Sequence, residues 1–145
     1  QERNMRAGTE NLYGVVGFAK ALELAESRLE SDQQQIRSLR DAFIHQLEQR
    51  GDVQFNGDVK GRCLYTVLNV SFPRTPETEM LLMNLDMRGI CVSGGSACSS
   101  GADMGSHVIR ALGTSSGRVP VRFSFCRHNT KEEIDQVMDA LKDCC

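Results

Sequence analysis

The sequence predicts an α/β protein of the α+β kind, in which a long N-terminal helix and several shorter ones cover one small, mostly antiparallel sheet. Two observations predict it. Apolar residues recur at three- and four-residue steps across the first 50 residues, the spacing of one helix face. After Gly51 the pattern breaks into short runs rich in Val, Tyr, Phe and Thr, alternating with capped helical segments; that order suits helices packed on a sheet. With 145 residues and 40% hydrophobic composition, the chain can bury one real core, so residues 1–145 read as a single domain.

The N-terminal helical pattern places Leu12, Val15, Val16, Ala19 and Leu22 on one face and continues through Ile36, Leu39, Phe43 and Leu47. It is one long helix or two. The polar "ESRLESDQQQ" (26–35) offers Ser31 or Asp32 as a second N-cap, and Gly51 is a C-terminal stop. An amphipathic helix of ~40 residues runs about 60 Å, more than a domain of this size spans, so part of it is expected to pack on something else.

Two strands follow, "VQFNG" (53–57) and "LYTVLNVSF" (64–72). "RTPETEMLLMNLDMRG" (74–89) reads as a helix, with Thr75 as cap, Pro76 in the first helical position, Glu77 and Glu79 in the first turn and Gly89 after the last. "ICVSG" (90–94) reads as a strand that runs into a Gly/Ser loop, and "SHVIRALG" (106–113) as a short helix capped by Ser106. "RVPVRFSFC" (118–126) alternates Val119, Val121, Phe123 and Phe125 with Pro120, Arg122, Ser124 and Cys126, the pattern of a half-buried strand. "TKEEIDQVMDALK" (130–142) closes the order as a helix with a Thr130–Glu133 capping box and a stripe of Ile134, Val137, Met138 and Leu141.

Composition removes several function classes. Net charge is −2 with Lys and Arg scattered, so neither nucleic acid nor an anionic membrane is an expected partner. No apolar stretch approaches the ~20 residues that span a bilayer, and "QERNMRAGTENLYG" has neither a signal core nor a transit-peptide composition. A cytoplasmic protein is expected. The opening Gln, within a polar segment, reads as the continuation of something upstream, a fragment or a processed product. The six cysteines, Cys63, Cys91, Cys98, Cys126, Cys144 and Cys145, are expected as free thiols. With no CxxC pair and His45, His107 and His128 at no zinc spacing, no metal is expected. His107 and His128 read as surface residues, and Cys144-Cys145 as an exposed tail.

Three residues stand out chemically. Cys98 lies within "VSGGSACSSG" (92–101), a stretch too small and polar to hold a core, where glycines permit exposure and movement. No His, Lys or Arg lies between Ile90 and Ser106, so activation of that thiol must come from elsewhere. Arg122 sits inside an apolar strand, where a guanidinium is expensive unless something anionic meets it: it pairs with a carboxylate of a packing helix or reaches solvent from the polar face, or else it holds the carboxylate of a substrate as a bidentate clamp. Thr9, in "RNMRAGTEN" (3–11), is either an ordinary helix cap or a phosphate contact at a helix start.

"RAGTEN" (6–11) followed by "VVGFAKALELA", "LNVSFP" (68–73), "RGICVSGGSACSSG" (88–101), "SHVIRALG" and "VRFSF" followed by "NTKEEID" resemble, in order and approximate spacing, the C-terminal part of the cysteine desulfurases, pyridoxal-phosphate enzymes of the class V aminotransferase group. The "GSACSSG" form resembles the subgroup with a longer cysteine loop, which makes sulfur for iron–sulfur clusters. The resemblance implies the C-terminal, smaller domain of a fold-type I pyridoxal-phosphate enzyme that converts L-cysteine to L-alanine and an enzyme persulfide. It implies Cys98 as nucleophile and persulfide carrier, Arg122 as the grip on the substrate α-carboxylate, and Thr9 as a contact to the phosphate of pyridoxal 5'-phosphate across a homodimer. A sulfur-acceptor protein such as an iron–sulfur scaffold is the implied partner. A selenocysteine lyase built on the same frame, a stand-alone sulfur carrier or interaction domain and a Cys-ligated metal site are the alternatives.

Two features depart from the family. Cys126 follows "VRFSF" where the family carries Gly. The family's cofactor-binding large domain, with its Schiff-base Lys and stacking His, is expected to be absent from this chain, since none of Lys20, Lys60, Lys131 or Lys142 lies in a matching context. The chain alone is therefore expected to be inactive.

Overall fold

The computed structural model describes residues 8–94, 107–113 and 117–144. They fall into two compact units that divide after Asp32. The helix α1 (Leu12–Arg50) contributes to both.

In the first unit the helix starts where Asn11 Oδ1 accepts the Gly14 N–H at 3.0 Å, so Asn11 rather than Thr9 caps it. Leu12, Val15, Val16, Phe18, Leu22 and Leu29 are all exposed. No second helix start occurs: Ser31 Oγ donates back to the Arg28 carbonyl at 3.0 Å, as a serine inside a helix does.

The second unit holds the core. The rest of α1 buries Ile36, Phe43, Ile44 and Leu47 and stops at Gly51, whose φ of 78° suits glycine. Three strands, β1 (Gln54–Phe55), β2 (Val67–Pro73) and β3 (Arg118–Ser124), pair antiparallel in the order β1-β2-β3. Register sorts their side chains by face. The pairs Leu68↔Phe123, Val70↔Val121 and Phe72↔Val119 put apolar groups on the core face, where the Phe43 ring meets Phe123 edge-on at 5.0 Å between centroids. The pairs Asn69↔Arg122, Ser71↔Pro120 and Pro73↔Arg118 put polar groups on the other.

The helix expected over 74–89 forms as two pieces, α2 (Pro76–Glu79) and α3 (Leu81–Met87), parted at Met80 with φ −97° and ψ 8°. Its predicted start is as expected: Thr75 caps through the Thr78 N–H and Pro76 follows. The segment 90–94 does not form the expected strand; it makes one bridge, Ser93↔Arg122. Pro120, two residues before Arg122 on the same strand edge, has no N–H to extend the ladder. A short helix α4 (His107–Ala111) and α5 (Lys131–Cys144) complete the order. At the start of α5 the predicted box is present: Glu133 N–H donates to Thr130 Oγ1 at 3.4 Å, and Glu133 Oε2 accepts the Thr130 N–H at 3.1 Å. The expected exposed tail is corrected at Cys144, which is 4% exposed. It lies three residues beyond Leu141 and extends the apolar stripe of α5 into the core. Cys63, Cys91, Cys126 and Cys144 are free thiols.

Candidate functional site on the polar sheet face

The face of the sheet turned away from the core carries Asn69 and Ser71 from β2 and Arg118 and Arg122 from β3. Arg122 sits there because the strand alternates: Val121 and Phe123 take the core, so Arg122 points the other way. No side-chain hydrogen bond or ion pair joins it to any described residue, and its Nε is buried without a partner. The packing-helix carboxylate offered by the sequence as its counter-ion is not found among the described residues. A buried guanidinium N–H left unpaired is costly, and it is a donor in place for an anionic ligand.

Arg118, by contrast, is engaged through its side chain. Its Nε and Nη2 donate to the Ser71 carbonyl at 3.2 and 2.9 Å, and Nη2 also donates to the Asp52 carbonyl. It ties the sheet together. Beside it a buried amide cluster forms: Asn56 Nδ2 donates to Asn69 Oδ1 at 2.6 Å and to Ser71 Oγ at 2.8 Å. Sequence reading missed Asn56, Asn69 and Ser71. Their signal was the period-two placing of Asn69 and Ser71 between Leu68, Val70 and Phe72, which puts them on the Arg122 side.

The backbone of Arg122 anchors the segment that leads to Cys98. The Arg122 N–H donates to the Ser93 carbonyl at 2.7 Å, and the Ser93 N–H donates back to the Arg122 carbonyl at 3.2 Å. Cys98 itself lies outside the described residues. Thr9 lies in the first unit, exposed, in the stretch before α1. The two are therefore not brought together with Arg122 by any described contact. Among the described residues no group of three or more His, Cys, Asp or Glu is placed to hold a metal ion, and no helix is long and apolar enough to cross a membrane.

The family model for class V aminotransferases matches residues 1–137. The chain belongs to the class V aminotransferases. Among curated relatives, this class V aminotransferase chain is 41% identical over 145 residues to a cysteine desulfurase of Bradyrhizobium diazoefficiens, covering 99% of this chain and 36% of that one. It is 39% identical over 145 residues to the cysteine desulfurase IscS of Dictyoglomus turgidum, covering 98% and 36%. Among solved structures, a NifS-like protein from Rickettsia africae superposes with a TM-score of 0.78 at 25% identity, covering 99% of this chain and 37% of that one. Another NifS-like protein gives 0.77 at 30% identity, covering 99% and 36%. The chain spans about a third of the length of these relatives.

Proposed function

We propose that this chain is the C-terminal part of a cysteine desulfurase, with L-cysteine as substrate, L-alanine as product and Cys98 as the carrier of the sulfur. One observation supports the reading most: Arg122, a cation on the polar sheet face without a partner among the described residues, is tied through its own backbone to Ser93. Cys98 comes five positions after Ser93, which tethers its backbone within roughly 17 Å of that anchor. A carboxylate clamp and a tethered nucleophile are the two groups that attack on an amino-acid thiol requires.

Arg122 binds the substrate α-carboxylate and sets its orientation. Cys98 forms the S–S bond to the substrate sulfur as the substrate's Cβ–S bond breaks; the electron pair remains with carbon, which takes a proton and becomes alanine. The persulfide then passes to an acceptor protein such as an iron–sulfur scaffold. Pyridoxal 5'-phosphate, when bound, supplies the electron sink that weakens bonds around the substrate Cα. Thr9 fits its phosphate, since the residue is exposed and its hydroxyl makes no hydrogen bond to a described residue. The lysines do not fit its covalent attachment. Lys20, Lys60 and Lys142 are exposed and paired with Glu23, Glu48 and Asp139, and Lys131 is exposed at the start of α5. In this reading the Schiff-base lysine belongs to the large domain of the full-length protein, a homodimer, and the chain alone is inactive. The free thiols among the described residues suit a reducing compartment, the cytoplasm.

Replacing Cys98 by Ala in the full-length protein tests this. Sulfide release from cysteine is expected to vanish while the cofactor absorbance stays; undiminished release would overturn the assignment. Comparing rates on cysteine and selenocysteine separates a desulfurase from a selenocysteine lyase.

A further inference from the structure

We propose that the side-chain amide of Asn69 is a second donor to the carboxylate held by Arg122, with Asn56 as the residue that orients it. The inference rests on the Arg122 reading above and names a specificity-determining partner for the same site. Asn69 and Arg122 are directly opposite one another in the β2–β3 ladder. Opposed residues project from the same sheet face with Cβ atoms about 4.5–5.5 Å apart. Both side chains therefore border one patch.

The amide has a fixed direction. Its Oδ1 accepts from Asn56 Nδ2 at 2.6 Å, and the same Nδ2 group reaches Ser71 Oγ at 2.8 Å. Asn56 is 9% exposed and Ser71 0%, so the acceptor end of Asn69 is locked into a buried cluster. That leaves its Nδ2 group as the end without a hydrogen bond to any described residue. Asparagine is a poor strand former, and a polar group whose only task was to satisfy Asn56 would not need an N–H donor at its other end. The strand residues on this face (Gln54, Val67, Asn69, Ser71, Pro73, Arg118, Pro120, Arg122 and Ser124) include no carboxylate. Two neighbouring free donors, one of them cationic, match the several lone-pair sites of a carboxylate that a single guanidinium leaves unfilled.

The test is steady-state kinetics on the full-length protein with L-cysteine as substrate and L-alanine as competitive inhibitor. Asn69→Ala is expected to raise KM and the inhibition constant of L-alanine about tenfold, as loss of a hydrogen bond to a charged group does, with the larger share of the loss in KM rather than kcat. Asn69→Asp keeps the acceptor that Asn56 requires and so keeps the buried cluster. It sets an anion opposite Arg122, and the expected rise in both constants is larger, about fiftyfold. Lower melting temperatures with unchanged KM and unchanged L-alanine inhibition in both variants would reduce Asn69 to a structural residue and overturn the inference. Arg122→Ala run alongside keeps the two readings apart. If it raises KM and the Asn69 variants do not, only the Asn69 inference falls; if it leaves KM unchanged, the clamp falls as well.

Discussion

Ser93 and Arg122 exchange both of their backbone hydrogen bonds, at 2.7 and 3.2 Å, and this single bridge couples the cation of the polar sheet face to the segment that carries the cysteine loop. The Arg122 main chain is thus committed to Ser93, while its side-chain Nε has no partner among the described residues. In the function proposed above, the strand would supply the clamp and a short covalent tether the nucleophile, so that binding and attack would be positioned by the same residue.

The first prediction follows from the unpaired guanidinium. Arg122→Met removes a buried Nε that has no partner, so the variant is expected to be more stable than the parent by about 1 kcal/mol, as at sites where function is kept at a cost in stability. Arg122→Lys keeps the charge but loses the planar fork, and KM for cysteine is expected to rise ~10- to 100-fold. Urea denaturation and steady-state kinetics check the two halves. A destabilised methionine variant would mean that the side chain serves the fold.

Much of this was legible in the sequence because it depends on local chemistry. Thr75, Pro76, Thr130 and Glu133 act as caps through bonds to residues three positions away, and the alternation of Val121, Arg122 and Phe123 fixes which side the cation takes. What escaped depends on contacts between distant elements. Nothing in "ICVSG" discloses that Pro120 on another strand stops its pairing after one bridge, and nothing in "VQFNG" discloses that Asn56 reaches across to Asn69. Cys144 reads as a tail because it is the last residue but one of the sequence, yet Leu141 three residues earlier already points its stripe inward.

Thr78 offers a second prediction. It is 1% exposed; its hydroxyl donates to the Pro73 carbonyl at 2.6 Å and accepts the Thr75 N–H at 2.7 Å. Thr78→Val preserves shape and strands both backbone groups, so a loss of about 2–3 kcal/mol is expected. Thr78→Ser keeps the hydroxyl and gives up one methyl, about 1 kcal/mol. Chemical denaturation of both variants decides: a larger loss in the serine variant than in the valine variant would show that the methyl, not the hydroxyl, matters.

Acid stability gives a third. Glu133 has its carboxyl held below the ordinary 4.5, first by the Asn129 side chain and then by the Thr130 N–H. Glu77 and Glu132 are lowered as well, each by its own backbone N–H first and by the hydroxyl of Thr75 or Thr130 second. A carboxylate whose value is depressed on folding contributes stability that is present above its unfolded value and lost as pH falls through the folded one. The melting temperature is therefore expected to fall as pH drops below 4.5. Glu133→Gln keeps an acceptor for the cap but not the charge, so it is expected to melt lower than the parent near neutral pH and to converge with it in acid. A gap that persists at the acid end would place its origin outside the ionisation.

The last prediction concerns how closely Gly94 approaches α3. A Cβ built on Gly94 would lie 2.9 Å from Leu82 Cδ2 and 3.6 Å from the Pro120 carbonyl oxygen. The tight contact is with the end of a flexible side chain, so Gly94→Ala is expected to cost only about 1 kcal/mol, the price of local overpacking. Leu82→Ala removes the atoms in the way but opens space beside the core. In the double variant the alanine methyl occupies part of that space. The two losses are therefore expected to fall short of their sum, with a coupling of roughly 0.5–1 kcal/mol. Denaturation curves for the four proteins of the cycle measure it. Strict additivity would mean that Gly94 is small for the sake of its backbone neighbours at Pro120, and that Leu82 has no part in holding the segment one residue beyond the Ser93–Arg122 bridge.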